Sequence, residues 1–294
     1  MDGWLETYRG AVAPWECDVV EHFTVAYYFD RFSDATLTIL EALDLGPTAI
    51  RETDRGCATV SCDVRYEREL RAGDVFHIES GVVEAEGKRL RLGHRVVDSA
   101  TGETVTRMDQ LVIHLDTAAR KSMPLPDDKL AAARARLIDW EPPVPEPRAE
   151  PDGDLGFVDA YRDSTKPWEI DVVGHVGFQF YVHRFSAAMA QAMAGFGLTP
   201  ALMRDTRRGF STFEFQLRFQ RELNAGDLVM VKTGLVHLGN TSMRFLHRLY
   251  NQRTGELAAS LSQYGVLLDM EARRPARLPD AVRERAEAML VPVG

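Results

Sequence analysis

The sequence predicts an α+β protein built from two copies of one domain, each a long buried helix wrapped by antiparallel strands, fused as a pseudo-dimer. Three observations carry this. Tyr8 to Asp128 aligns without a gap with Tyr161 to Ala281 at a constant offset of 153 residues, with roughly a third of positions identical. In each copy a long apolar stretch, free of proline and in the first copy also of glycine, is followed by four segments of strand character. The chain has 294 residues, 45% of them hydrophobic, which suits two ordinary cores better than one oversized core.

In chain order, YRGAVAPWECDVVEH at 8–22 matches YRDSTKPWEIDVVGH at 161–175. Val25 to Leu43 then places Tyr28, Phe29, Phe32, Leu37, Ile39, Leu40 and Leu43 over several turns, as a buried helix does, and Phe178 to Phe196 is its partner. Strands are expected at about 57–69, 74–86, 88–98 and 103–116, separated by turn signals at AGD, EGK and SATGE and rich in β-branched residues. REL-AGD recurs at 68–74 and 221–227, and TGE at 101–103 and 254–256. A period this long makes each copy a whole domain, related to its partner by an approximate two-fold axis.

The division expected is a first domain over 1–118, a linker over 119–158 and a second domain over 159–294 that ends in a helix. The linker contains DDKLAAARARLIDW, suited to a short surface helix, and continues in the proline-dense EPPVPEPRAEP, which runs extended because proline cannot hold a hydrogen-bond ladder. A formal net charge of −9 disfavours nucleic acid as a partner. The start, MDGWLETYRG, lacks a basic segment followed by an apolar run, and no apolar stretch is long enough to span a bilayer, so the expectation is a cytoplasmic protein with no membrane partner. Cys17, Cys57 and Cys62 lack metal-ligand spacing, and their counterparts Ile170, Phe210 and Phe215 are apolar, which argues for buried hydrophobes and against a metal site or a thiol nucleophile.

The block E-x-D-V-V-x-H-x-x-x-x-x-Y, placed just before a buried helix, resembles the 4-hydroxybenzoyl-CoA thioesterase-like family of hotdog acyl-CoA thioesterases, here in a tandem, double-hotdog form. That family carries D-x-D-x-x-G-x-x-x-x-x-x-Y. The second acidic position is Asp18 or Asp171, the Gly/His turn is Glu21-His22 or Gly174-His175, and the tyrosine is Tyr28 or Tyr181. The resemblance covers both repeats. Two departures stand out: the first acid is Glu16 or Glu169 in place of Asp, and repeat one has Glu21 where glycine is usual, a bulky acid expected to narrow that pocket or repel an anionic acyl group.

The resemblance implies hydrolysis of an acyl thioester, with no cofactor beyond the coenzyme A of the substrate and no metal. Such chemistry needs a nucleophile or general base near the carbonyl carbon and donors aimed at its oxygen. Asp18 and Asp171 are the carboxylates in question, and the unpaired first-turn amides near Val25 and Phe178 are the oxyanion donors. Whether the carboxylate activates water or attacks directly stays open, as does whether one or both sites work. The competing reading of both aspartates is helix capping or a turn. His22 and His175 either assist the carboxylates or are satisfied buried histidines. Trp15 and Trp168 are expected as core wedges, and Tyr28 and Tyr181 mainly as packing residues lining the substrate site beside Glu16 and Glu169. Arg65 with Arg68 and Arg218 with Arg221 recur at strand spacing, as do Arg91 with Arg95 and Arg244 with Arg248; the first two pairs are the candidates for the phosphates of coenzyme A. The resemblance also implies that each site is completed by the other repeat.

Two rivals remain. A hotdog enoyl-CoA hydratase or dehydratase places histidine five residues after aspartate with asparagine between, whereas here the interval is four and asparagine is absent. A non-catalytic acyl-CoA or acyl-carrier binding module would use the same groove. Further association of the fused pair into a homo-oligomer, and the identity of the acyl group, are not readable from the sequence.

Overall fold

The computed structural model describes residues 3–144 and 148–293. Each copy opens with an edge strand, β1 (Leu5–Ala11) in the first, which leads through a short 3-10 turn into the long helix α1 (Val25–Ala42) and the short helix α2 (Pro47–Thr53). The strands β2 (Arg55–Tyr66), β3 (Val75–Glu86), β4 (Arg89–Asp98) and β5 (Thr104–Asp116) follow, then the two-residue β6 (Lys121–Ser122) and helix α3 (Asp127–Arg134). The second copy repeats the order: β7 (Val158–Ser164), α4 (Phe178–Gly195), α5 (Pro200–Thr206), β8 (Arg208–Phe219), β9 (Leu228–Leu238), β10 (Ser242–Asn251), β11 (Leu257–Asp269), β12 (Arg274–Pro275) and α6 (Asp280–Ala288).

The main strands form one continuous antiparallel sheet in the order β1-β3-β4-β5-β2-β8-β11-β10-β9-β7, joined at the centre where β2 pairs with β8. Asp63 faces Gln216 there, and these two residues hold the same register position in their copies, so the pseudo-two-fold axis passes between them. The axis also passes between the helices, where Asp30 of α1 meets its counterpart His183 of α4 at 3.3 Å. This is the tandem hotdog, with both helices lying against the concave face of a shared sheet.

The helices form where they do because no glycine or proline interrupts them before Gly195 and because one side of each is apolar. Phe29, Phe32, Ala35 and Ile39 of α1 are fully buried, as are Val182, Phe185 and Ala188 of α4. Each buried phenylalanine contributes about 2 kcal/mol by removal from water. The small Ala35 and Ala188 belong to the same core cluster, which is continuous across both copies.

The helix expected at the start of the linker is α3, and it packs on β3 as α6 packs on β9. The residues just after them also correspond, since Leu137 bridges Val82 and Leu290 bridges Leu235. By packing, the free connector is therefore the shorter run that follows Trp140. Its later residues are tied to β10, where Arg244 donates to the Ala149 carbonyl at 2.8 Å and Arg248 to the Pro151 carbonyl at 2.7 Å. Of the proline-rich segment, residues 145–147 lie outside the described residues. Among the described residues, no helix is long and apolar enough to cross a membrane.

The tryptophans differ from expectation. Trp15 and Trp168 are 78% and 74% exposed. The reason is local: in each Pro-Trp-Glu 3-10 turn the glutamate takes the inward position, so the neighbouring indole faces out.

Candidate active site

Before each long helix the chain makes a tight loop closed by an isolated bridge, Cys17 to Phe23 in one copy and Ile170 to Val176 in the other. The aspartate organises this loop. Oδ1 of Asp18 accepts from the amides of Val20 and His22 at 2.9 and 3.1 Å. Oδ1 of Asp171 accepts from those of Val173, Gly174 and His175 at 2.9, 3.1 and 3.4 Å. The turn requires a left-handed residue, Glu21 at φ 66° or Gly174 at φ 91°. Glycine meets this without strain, whereas glutamate carries about 1 kcal/mol of it.

Each aspartate also lines a cavity between the two copies, so the turn and the cavity share one carboxylate. The Asp171 cavity, about 210 Å³, is walled by His175, Phe178, Tyr181 and Phe219 from its own copy and by Thr36, Leu37, Leu40 and Cys57 from the other. The Asp18 cavity, about 460 Å³, is walled by His22, Val25, Tyr28 and Tyr66, then by Met189, Met193, Phe210 and Phe213 across the interface. Most wall residues correspond at the 153-residue offset, as Thr36 does with Met189, Leu40 with Met193 and Cys57 with Phe210, and each cavity is completed by the other repeat.

At the head of each cavity stand the first amides of α1 or α4. The caps, Thr24 and Gly177, take no side-chain hydrogen bond from the first turn; Val25 and Phe178 line the cavities, and no acceptor among the described residues takes their amides. Tyr28 and Tyr181 are buried one turn further on. Burial pushes both phenols well up, so they remain protonated.

The electrostatics of the two loops differ. Burial pushes the Asp18 carboxyl up to about 6, against the pull of the turn amides and of Arg273. Burial, Arg273 and Arg71 hold the His22 imidazole down to about 4, so it is neutral. In the other loop burial lowers the His175 imidazole, but the hydrogen bond to Asp171 and the charges of Asp171 and Glu222 outweigh it and the net direction is up. His175 Nδ1 lies 3.3 Å from Asp171 Oδ2. Asp171 and His175 therefore form a coupled pair, whereas His22 Nε2 turns to Glu69 at 2.6 Å.

Two arginines absent from the sequence reading complete the loops. Arg120 reaches from the first copy to the Asp171 loop, donating to the Val173 carbonyl at 2.9 Å and pairing with Glu222. Its counterpart Arg273 reaches from the second copy to the Asp18 loop, contacting His22 and Glu69. Both occupy left-handed positions, at φ 53° and 51°. The signal that finds them is identity at the common offset, Arg120 with Arg273 and Glu69 with Glu222.

The remaining sequence candidates divide. Arg68 and Arg221 line the two cavities. Arg68 pairs with Glu103, and Arg221 with Glu256 at 3.5 Å. Arg65 and Arg218 do not line them: they sit one strand position before Tyr66 and Phe219, and successive strand side chains face opposite sides. Arg218 instead pairs with Asp63 at 2.7 Å on the outer face. Glu16 and Glu169 are also outside the cavities. They cap their 3-10 turns through the amides of Ala13 and Lys166, and they pair with Arg31 and Arg184 of the long helices. Glu21 does not narrow its cavity; its exposed side chain lies 3.4 Å from Arg207. Cys57 and Cys62 are buried and Cys17 half-buried, all as free thiols.

The shared sheet, the two axial helices and an acid-bearing loop over each interdomain cavity define a tandem hotdog protein with paired sites. The chain belongs to the thioesterase-like superfamily, whose family model matches residues 12–133 and 165–286, once per copy. The L-carnitine dehydrogenase/betainyl-CoA thioesterase of Agrobacterium fabrum is 28% identical over 125 residues, which are 42% of this chain and 25% of that protein. The chain thus spans about a quarter of that relative's length. The betainyl-CoA thioesterase of Pseudomonas aeruginosa is 23% identical over 131 residues, 45% of this chain and 82% of that protein. Among solved structures, the 12:0-ACP thioesterase of Umbellularia californica superposes with a TM-score of 0.70 at 18% identity, covering 90% of this chain and 94% of that one, a likeness of fold.

Proposed function

We propose that this protein is an acyl-CoA thioesterase, hydrolysing an acyl thioester to the free acid and coenzyme A at two pseudo-equivalent sites. One observation carries the reading: each cavity between the copies brings together a carboxylate and unpaired helix N-terminal amides. The names of the relatives, betainyl-CoA thioesterases among them, support the same class of reaction.

In this mechanism the thioester carbonyl docks against the Val25 or Phe178 amide. Asp18 or Asp171 accepts a proton from water as the water oxygen bonds to the carbonyl carbon, and the carbonyl oxygen becomes an oxyanion facing the helix terminus. Collapse breaks the C–S bond and the thiolate of coenzyme A takes up the proton. His175 holds the Asp171 carboxylate through its ring nitrogen. His22, neutral and turned to Glu69, serves the Asp18 loop as a positioning residue. Arg68 and Arg221, which line the cavities, are the cations assigned to the phosphates of coenzyme A. The free cysteines suit the reducing cytoplasm.

The test is release of free thiol from a panel of short, long, aromatic and charged acyl-CoAs, followed with a chromogenic thiol reagent. Steady release from at least one is expected. Tight binding without turnover across the panel would instead make the protein an acyl-CoA binding module.

A further inference from the structure

The walls of the two cavities differ at one position in a way that packing does not explain. Tyr66 in the Asp18 cavity and Phe219 in the Asp171 cavity hold the same register position at the end of β2 and β8. Each ring stands edge-on to the helix tyrosine of its own copy, Tyr66 to Tyr28 at 5.2 Å and Phe219 to Tyr181 at 5.0 Å. Tyr66 also stands edge-on to Phe215 at 5.8 Å, a contact that a phenylalanine ring would make equally, so what tyrosine adds is the hydroxyl. That hydroxyl is buried with no hydrogen-bond partner among the described residues, and so is Ser186 Oγ, which lines the same cavity. Met189, Met193, Phe210 and Phe213 form the apolar part of the wall, beside Ser211, Thr212 and Gln263, whose Oε1 is likewise buried without a partner among the described residues. A buried hydroxyl without a partner is destabilising, and phenylalanine, which the other copy uses, removes the cost without changing the shape. In the Asp171 cavity the unpartnered buried atom is Gln179 Oε1, in the first helix turn, away from this wall.

We propose that the Asp18 cavity selects acyl thioesters whose acyl chain carries an oxygen function, a hydroxyl or keto group, held by Tyr66 Oη with Ser186 Oγ. The proposal rests on the reading of this cavity as an acyl site. A keto oxygen accepts from the phenol; a hydroxyl both accepts and donates. The apolar remainder of the wall takes the methylene chain, and the larger volume accommodates it.

The experiment uses the Asp171→Asn protein, in which only the Asp18 site is intact, with octanoyl-CoA and a series of hydroxy- and oxo-octanoyl-CoAs in which the oxygen is moved along the chain. At least one oxygenated substrate is expected to exceed octanoyl-CoA in kcat/KM, and Tyr66→Phe, which preserves the ring, is expected to lower that ratio about three- to tenfold, the value of one neutral hydrogen bond. A ratio that Tyr66→Phe leaves unchanged, or no preference anywhere in the series, overturns the proposal. The same ratio is read as binding affinity in the Asp18→Asn/Asp171→Asn protein. Hydrolysis persisting there defeats the carboxylate reading, while the affinity ratio still reports on Tyr66 independently.

Discussion

The Asp18 and Asp171 cavities share a floor plan and differ in charge, and the difference shows what the duplicated loop has kept and what it has released. Kept are the aspartate at the turn, the free amides of the following helix, the buried tyrosine and an arginine from the opposite copy. Released are the far wall, the left-handed residue and the partner of the histidine. Asp171 lies 3.3 Å from His175, while burial pushes the Asp18 carboxyl up to about 6 against the pull of its turn amides and Arg273. Two copies of one loop thus hold their aspartates in different surroundings, over cavities of about 210 and 460 Å³.

The largest effect that separates the sites comes from removing one base at a time. Asparagine keeps the Oδ1 acceptor that closes the turn, so the loop survives and only the base is lost. Loss of a general base costs about 100-fold or more at the affected site. Asp171→Asn is expected to remove hydrolysis of short acyl groups, and Asp18→Asn that of long ones, as measured by kcat/KM across chain lengths. Identical profiles for the two variants would break the comparison.

The pH dependence sharpens it. A base must be ionised, and the Asp18 carboxyl is raised to about 6, so turnover in the Asp171→Asn protein should fall about tenfold per pH unit below 6. The Asp18→Asn protein should carry instead a titration displaced above the ordinary imidazole value, from His175. Profiles of kcat/KM between pH 4 and 8 separate the two.

Smaller effects follow from the cross-copy arginines. Arg120→Ala removes a donor to the Val173 carbonyl and the pairing of Glu222, and is expected to lower kcat at the Asp171 site several-fold, an effect of about 1 kcal/mol. Arg120→Lys restores charge but not the forked geometry and should recover only part of it. Arg273→Ala should raise the titration of His22 in NMR spectra, because Arg273 is one of the charges that depress it. The smallest effect is conformational: Gly174→Ala places a side chain at φ 91° and should lower stability by about 1 kcal/mol in urea unfolding, whereas Glu21→Ala exchanges one strained residue for another and should be nearly neutral.

The fold was legible because its signals are local and doubled. Proline-free apolar runs read as helices, AGD and TGE read as turns, and the constant offset made both copies testify to each element. The aspartate loops were legible for the same reason. What escaped depended on which way a strand faces: Arg65 and Tyr66 are adjacent, and the sequence alone does not say which of them meets the cavity. Glu16 and Glu169 lie in the motif yet pair with Arg31 and Arg184, since a buried acid needs a cation and the helix supplies one at the right height. Arg120 escaped because its partner Glu222 is 102 residues away, a contact made only when the two copies close on each other.

The central claim is that the paired carboxylates carry hydrolysis, and it is tested most directly by thiol release from the best acyl-CoA in the Asp18→Asn/Asp171→Asn protein, with folding checked by circular dichroism. The account predicts a folded protein whose rate is reduced at least about 100-fold. A folded double variant that hydrolyses at the wild-type rate would contradict it.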